Sequence, residues 1–319
     1  MNGVKLTAVG KYVPERKVTN FDLSEFLDTS DEWIKERTGI SSRHIADQEE
    51  NTSILAFKAV ENIIENYPNA INDVDYIIVA TNSADAVFVS TASLIQHRFS
   101  LPCGGCDLTA ACSSWVYALT HAVALVRGGI AHKILVVGVD RTSKLIDWQD
   151  RSTAILFGDG AGAAIVESSE KDYFLAFDYG SDGSEASNLA MKLFSEKLPD
   201  GNELNSKVKM NGRAVYRFST HIIVEMIKNL VNKSQIPIEE YLFIPHQANI
   251  RIIESAAREL NLTMDKFFIN LDKYGNTSAA TVPIALAEAK INPNSPVMVL
   301  AFGGGLAWSG AAFIWTLPN

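Results

Sequence analysis

Compared with itself at an offset of about 164 residues, the chain repeats its own order of apolar and polar segments. VDYIIVAT (74–81) falls against EEYLFIPH (239–246), CDLTAAC (106–112) against NLDKYGN (270–276), KILVVGV (133–139) against VMVLAFG (297–303), and FGDGAGAAIVE (157–167) against LAWSGAAFIWT (306–316). Each match is faint, and the shared order and spacing carry the argument. The apolar runs have strand length, at 74–80, 133–139, 161–167, 241–245, 297–302 and 311–315, and helix-length segments near 91–99 and 250–260 lie between them. Such alternation predicts buried strands under helices, an α/β architecture. We therefore expect two related halves, 1–170 and 171–319, packed face to face about a pseudo-two-fold axis. The repeat also sets Cys112 against Asn276, each expected at the start of a helix of small apolar residues, and puts His246 at a strand end. Ligands of α/β proteins collect at the carboxyl ends of strands, so these three side chains are expected to converge.

The surface chemistry removes several classes of partner. With 28 Lys and Arg against 37 Asp and Glu, the formal charge is −9, and no basic cluster offsets it, so nucleic acid is excluded as a partner. The stretch from Leu108 to Val126 contains no charged residue and approaches the length of a membrane span. Its Thr109, Ser113, Ser114, Thr120 and His121, with its many alanines, suit a helix packed inside a protein, so no membrane is expected. From Ile291 onward Pro293, Pro296, the glycines 303–305 and Gly310 break the apolar sequence into strands and turns. Three cysteines and an opening without a secretory apolar core lead to the expectation of a reducing, cytoplasmic setting.

At a helix start, unpaired backbone N–H groups and the helix dipole favour an anion, so the thiol of Cys112 is expected to have a lowered pKa. Cys103 and Cys106 form CGGC, but no second pair or histidine at zinc spacing accompanies them, and a structural place for both is expected. His246, in IPHQAN, is held at a strand-to-helix corner by Pro245. Asn276, in YGNTSAA, has the chemistry of a helix cap as well as that of a donor. The glycines at 303–305 allow close backbone approach, with N–H groups available to a developing oxyanion.

TAACSSWVYAL, FGDGAGAA, PHQAN, DKYGNTSAA and AFGGG, in this order, together with DTSDEWIKERTGI (28–40), resemble the β-ketoacyl-acyl-carrier-protein synthase III family over essentially the whole chain. The resemblance implies the thiolase-like fold, two duplicated halves in α/β/α/β/α layers, and a homodimer. It implies condensation of an acyl-CoA primer, acetyl-CoA favoured, with malonyl carried on acyl carrier protein, and no metal or redox cofactor. Cys112 would be the acylated nucleophile, with His246 and Asn276 completing the set, and the N–H groups of Cys112 and Gly305 would hold the oxyanion. Trp33 and Arg151 match the pair that sandwiches adenine; Arg37, Gly212 and Asn249 match the same coenzyme A channel. Phe88 and Leu306 match positions of the acyl pocket, Phe88 reaching across the dimer, and Arg217, Arg251 and Arg258 match the basic surface that receives the carrier protein. Ser113, Ser114 and Trp115 after the nucleophile, Val89, Leu306 and Glu259 depart from the family pattern. They motivate an alternative, a relative taking a longer or unusual acyl group in specialised metabolism.

Overall fold

The computed structural model describes residues 3–318. In chain order, the first part runs β1 (Gly3–Tyr12), β2 (Lys17–Thr19), α1 (Asn20–Ser24), α2 (Asp31–Thr38), β3 (Ser42–His44), α3 (Thr52–Asn66) and β4 (Tyr76–Ala80). It continues through α4 (Thr91–Arg98), β5 (Gly104–Leu108), α5 (Ser114–Arg127), β6 (Lys133–Asp140), α6 (Arg151–Ala154) and β7 (Gly160–Ser169). The second part begins with β8 (Phe174–Ser181), β9 (Leu189–Ala190), β10 (Lys209–Met210) and α7 (Gly212–Ser234). Then come β11 (Leu242–Pro245), α8 (Ile250–Glu259), α9 (Leu271–Tyr274), α10 (Thr281–Glu288), β12 (Pro296–Gly303) and β13 (Ala307–Ile314).

Two sheets organise these elements, one ordered β1-β7-β6-β4-β5 and the other β11-β12-β13-β8. In the first, β4 lies parallel to both β5 and β6, while β7 runs antiparallel between β6 and β1. In the second, β11 and β12 are parallel, and β13 and β8 continue antiparallel. Both faces of each sheet are buried, so the two-residue period of a strand sends alternate side chains into different cores. Ile78 and Ala80 face a central core together with Val297, Val299 and Ala301. Ile77 and Val79 face α3 and α4 instead. Met298, Leu300 and Phe302 face α7 and α8. The central core is filled by α5 and α10, which pack against strands of both sheets and contribute Trp115, Leu119, Val123, Val282 and Leu286. The result is five layers, helices outside, two sheets, and a shared helical layer between them.

The duplication is visible in the topology, because β5-β4-β6-β7-β1 has the same order and directions as a set ending in β11-β12-β13-β8. The counterpart of β5 is reduced to a single parallel bridge between Phe267 and Phe243. One detail of the repeat is corrected. Short 3-10 turns precede both inner helices, at Ala111–Ser113 and Ser278–Ala280, and their first residues share a left-handed φ, 49° at Ala111 and 54° at Ser278. Matching these turns makes Ala279, not Asn276, the counterpart of Cys112; Asn276 lies before the turn. The uncharged stretch from Leu108 to Val126 is likewise not one helix. Its first residue ends β5, the Ser113 and Ser114 hydroxyls bond the carbonyls of Ala110 and Ala111, and the helix starts at Ser114. No helix among the described residues is long and apolar enough to cross a membrane.

Candidate active site

Cys112 sits in the 3-10 turn that leads into α5, 8% exposed, with its Sγ 3.5 Å from the Ser278 hydroxyl of the opposing turn. Gly303, at the end of β12, makes this packing possible. A Cβ there would stand 2.9 Å from both Cβ and N of Cys112 and 3.3 Å from its Sγ. Burial pushes the thiol up to about 12, with the Ser278 hydrogen bond pulling the other way and the charge of Asp140 adding to the rise. The lowered pKa expected from the helix start is therefore overturned: removing a thiolate from water outweighs the few N–H groups of one turn.

His246 follows Pro245 at the end of β11, its N–H bonded to Leu300 O at 2.7 Å and its ring edge-on to Phe302 with centroids 5.4 Å apart. Burial lowers its pKa to about 3, so the imidazole is neutral. The Thr281 hydroxyl lies 2.6 Å from Nδ1 and 3.1 Å from Ser278 O. It carries one proton, and with that proton on the shorter contact Nδ1 accepts and Nε2 keeps its hydrogen. Asn276 is fixed by Gly275, whose φ of 64° and whose 2.6 Å clearance between an added Cβ and Leu156 O both require glycine. Its backbone bonds Leu156 O and Gly158 N–H, and its Oδ1 accepts from Ser278 N–H at 2.9 Å. The carbonyl end of the side chain is thus occupied, leaving the NH2 end as a donor.

Behind these residues lies a buried polar knot that sequence reasoning missed. Asp140, at the end of β6, accepts from Asn82 N–H and Nδ2, Thr81 Oγ1, Ser83 Oγ and Ala279 N–H. It thereby ties the first sheet to the turn that carries Ser278. The run NTSAAT (276–281) was the available signal, since so many hydroxyl and amide groups between glycine and an apolar helix need partners.

Cys112 stands between two cavities. One, of about 560 Å³, is lined by Cys112, His246 and Asn276 at its inner end and by Trp33, Arg37, Gly212 and Asn249 further out. Beside Trp33 the guanidinium of Arg151 stacks on the indole, 4.8 Å from the ring centroid. Asn249 caps α8 and donates to Arg37 O, and Arg251 donates to Glu36 O, so both clamp α2 against α8. Arg217 and Arg258 are exposed on α7 and α8 beyond the cavity. The second cavity, of about 280 Å³, is lined by Cys112, Ser278, Gly304 and apolar groups including Leu145, Leu189 and Met191. Leu306 is buried with its backbone paired to Asp182, and lines neither cavity. A Cβ added at Gly305 would meet Ala307, whereas one at Gly303 would meet Cys112, and Gly304 lines the smaller cavity together with Cys112. Phe88 is 101% exposed on the loop before α4. Cys106 lies in β5, on the exposed edge of the sheet.

The family model for 3-oxoacyl-[acyl-carrier-protein] synthase III matches residues 106–183, and the model for its C-terminal part matches 226–315. A β-ketoacyl-[acyl-carrier-protein] synthase III of Clostridium acetobutylicum is 43% identical over 325 aligned positions, covering 99% of this chain and all of the relative. Among solved structures, the synthase III of Thermus thermophilus superposes with a TM-score of 0.96 at 45% identity, covering 98% of this chain and 99% of that one. That of Aquifex aeolicus gives 0.91 at 38%, covering 98% of this chain and 100% of that one. This duplicated, thiolase-like chain belongs to the 3-oxoacyl-[acyl-carrier-protein] synthase III family of condensing acyltransferases.

Proposed function

We propose that this chain condenses an acyl-CoA primer, acetyl-CoA by preference, with malonyl-acyl carrier protein through an acyl-Cys112 intermediate. The observation that carries the reading is that Cys112, His246 and Asn276 line one cavity whose outer wall holds Trp33 and Arg37. The Cys112 sulfur attacks the thioester carbonyl, the oxyanion rests on backbone N–H groups, and coenzyme A leaves with the thiol proton. Cys112 N–H and Gly304 N–H suit that role better than Gly305, because Gly304 lines the cavity at Cys112. Malonyl carrier protein then enters. His246 Nε2–H and Asn276 Nδ2–H donate to its thioester oxygen while carbon dioxide leaves and its bonding electrons form the enolate. The enolate carbon attacks acyl-Cys112, the C–S bond breaks with its electron pair returning to the Cys112 sulfur, which takes up a proton from solvent, and a 3-oxoacyl carrier protein is released. Burial that neutralises both the thiol and the imidazole favours this use of donors over ion-pair chemistry.

Adenine would enter between Trp33 and Arg151, two flat groups suited to stacking. Arg217, Arg251 and Arg258 lie on the helices beside the cavity mouth and match an acidic carrier protein in charge. A homodimer is proposed through β5, an edge strand whose Gly104, Gly105 and Cys106 are exposed, with Phe88 entering the partner's acyl cavity. The reaction is placed in the cytoplasm, a compartment that keeps the free thiols of Cys103, Cys106 and Cys112 reduced. Intact-protein mass after incubation with acetyl-, butyryl- and octanoyl-CoA tests the reading. Acetyl adducts on Cys112, discharged by malonyl carrier protein, are expected. Octanoyl adducts forming faster would overturn the short primer, and absence of any adduct would overturn the reaction.

A further inference from the structure

We infer that Ser278 is a catalytic residue, a hydroxyl that donates to the Cys112 sulfur and stabilises its thiolate during acyl transfer. Ser278 Oγ is 3.5 Å from Cys112 Sγ, both atoms buried, and lines the smaller cavity with it. The direction of the bond during acyl transfer follows from the chemistry: a thiolate sulfur carries no proton, so the Ser278 hydroxyl is the donor to it. Asn82 Nδ2, bonded to Asp140 Oδ2 at 2.8 Å and Ala111 O at 3.3 Å, lies 3.4 Å from Ser278 Oγ on the other side. Among the described residues, the Cys112 sulfur is the acceptor bonded to that hydroxyl. Asn82 is itself held by Asp140, and Asp140 also binds Ala279 N–H, so the position of the hydroxyl is set from both sides of the turn.

The backbone supports the same assignment. Ser278 has a left-handed φ of 54°, a conformation unusual for a residue with a side chain, and such strain persists where the surroundings over-determine it. Its N–H is spent on Asn276 Oδ1 and its carbonyl lies beside the Thr281 hydroxyl that reaches His246. One strained residue therefore touches the nucleophile and, through its N–H, fixes the side chain of Asn276. The chemistry balances without a further reagent: the Cys112 sulfur–carbon bond forms, the coenzyme A sulfur–carbon bond breaks, the thiol proton leaves on coenzyme A, and Ser278 keeps its proton throughout. A thiolate held away from water is stabilised mainly by such charge-assisted bonds, and this one opposes the rise that burial imposes on the thiol.

The inference rests on Cys112 as the nucleophile, and alkylation tests it apart from acyl transfer. Iodoacetamide is applied between pH 7 and 9.5 to the full-length protein, and modification of the Cys112 peptide is followed by mass, separately from Cys103 and Cys106. Ser278→Ala and Ser278→Gly should each react about tenfold more slowly at every pH, the equivalent of one pH unit or about 1.4 kcal/mol. Glycine also relieves the φ, so a folding defect in the alanine variant leaves the test intact. Both substitutions enlarge the approach to the sulfur, so a merely structural role would leave the rate unchanged or raise it. Rates within twofold of the parent chain, or faster, would overturn the inference and leave the proposed condensation standing. Failure of acyl-CoA to load a parent chain that alkylates normally would count against the condensation alone.

Discussion

Replacing Gly303 by alanine adds one methyl group directly against Cys112. Gly303 has no left-handed φ to defend, so the effect is purely steric. The new carbon would lie 2.9 Å from Cβ and N of Cys112 and 3.3 Å from Sγ. Ordinary van der Waals contact needs about 3.5–4.0 Å, so the turn carrying Cys112 must retreat by roughly 0.5–1 Å. Overpacking of this kind costs about 1–3 kcal/mol of stability, and a displacement of about 1 Å at a reacting atom costs on the order of 10²-fold in rate. Thermal melting and the rate of Cys112 acylation by acetyl-CoA, read by intact mass, measure the two effects. The control is Gly183→Ala, where an added Cβ meets nothing within 4 Å and should change neither. Acylation of Gly303→Ala within twofold of the parent rate would refute the argument that the close approach of β12 places the sulfur.

His246→Ala and Asn276→Ala should each slow decarboxylation of malonyl carrier protein about 10²–10³-fold, the usual cost of one lost oxyanion donor, and affect Cys112 acylation far less. Equal losses in the two half-reactions, assayed separately, would contradict the donor roles. Trp33→Ala and Arg151→Ala should raise KM for acyl-CoA with smaller change in kcat, because the stacking pair lies at the far end of the cavity and binds ground and transition states alike. Burial sets the folded His246 pKa at about 3, below the 6.5 of the free side chain. Its contribution to stability is therefore present above pH 6.5 and is lost as pH falls from there toward 3, by up to about 1.4 kcal/mol per pH unit. Urea midpoints of the parent chain should fall more steeply over that range than those of His246→Gln; parallel curves would show that the imidazole titrates freely.

The sheet-forming segments were legible because apolar runs such as KILVVGV and VMVLAF are buried on both faces and read as uninterrupted. The glycines at 275 and 303 and the histidine after Pro245 were legible as backbone punctuation at strand ends. The break between Leu108 and Ser114 was not, since alanine at a left-handed φ gives no local sign, and the opposing turn and β12 that pack around Ala111 are distant in sequence. For the same reason the repeat slipped by three residues at Cys112. The pKa of Cys112 was misread because the helix start is a local feature, whereas the water is excluded by Gly303 and Ser278, which lie more than 160 residues further along. Leu306 was read from its place after the glycines, and its pairing with Asp182 turns it away from the cavities. Strand β1 and the 23-residue helix α7 left weaker traces, the one broken by Lys5, Thr7 and Gly10, the other amphipathic but long enough to include many polar residues.

The shared helical layer has a consequence for how such a chain can be divided. The chain leaves the first sheet at Ser169 and enters the second at Phe174, yet α5 belongs by sequence to one side of that crossing and is buried by residues of both. A fragment ending near 170 would carry a helix with Trp115, Leu119 and Val123 covered on one flank and bare on the other, and the complementary fragment would carry α10 in the same condition. Each fragment is thus half of an interface, and the surface it exposes is the one its counterpart was built to cover. In that sense the molecule is an internal dimer, two half-length units whose mutual surface has been made permanent by a short connection between strands.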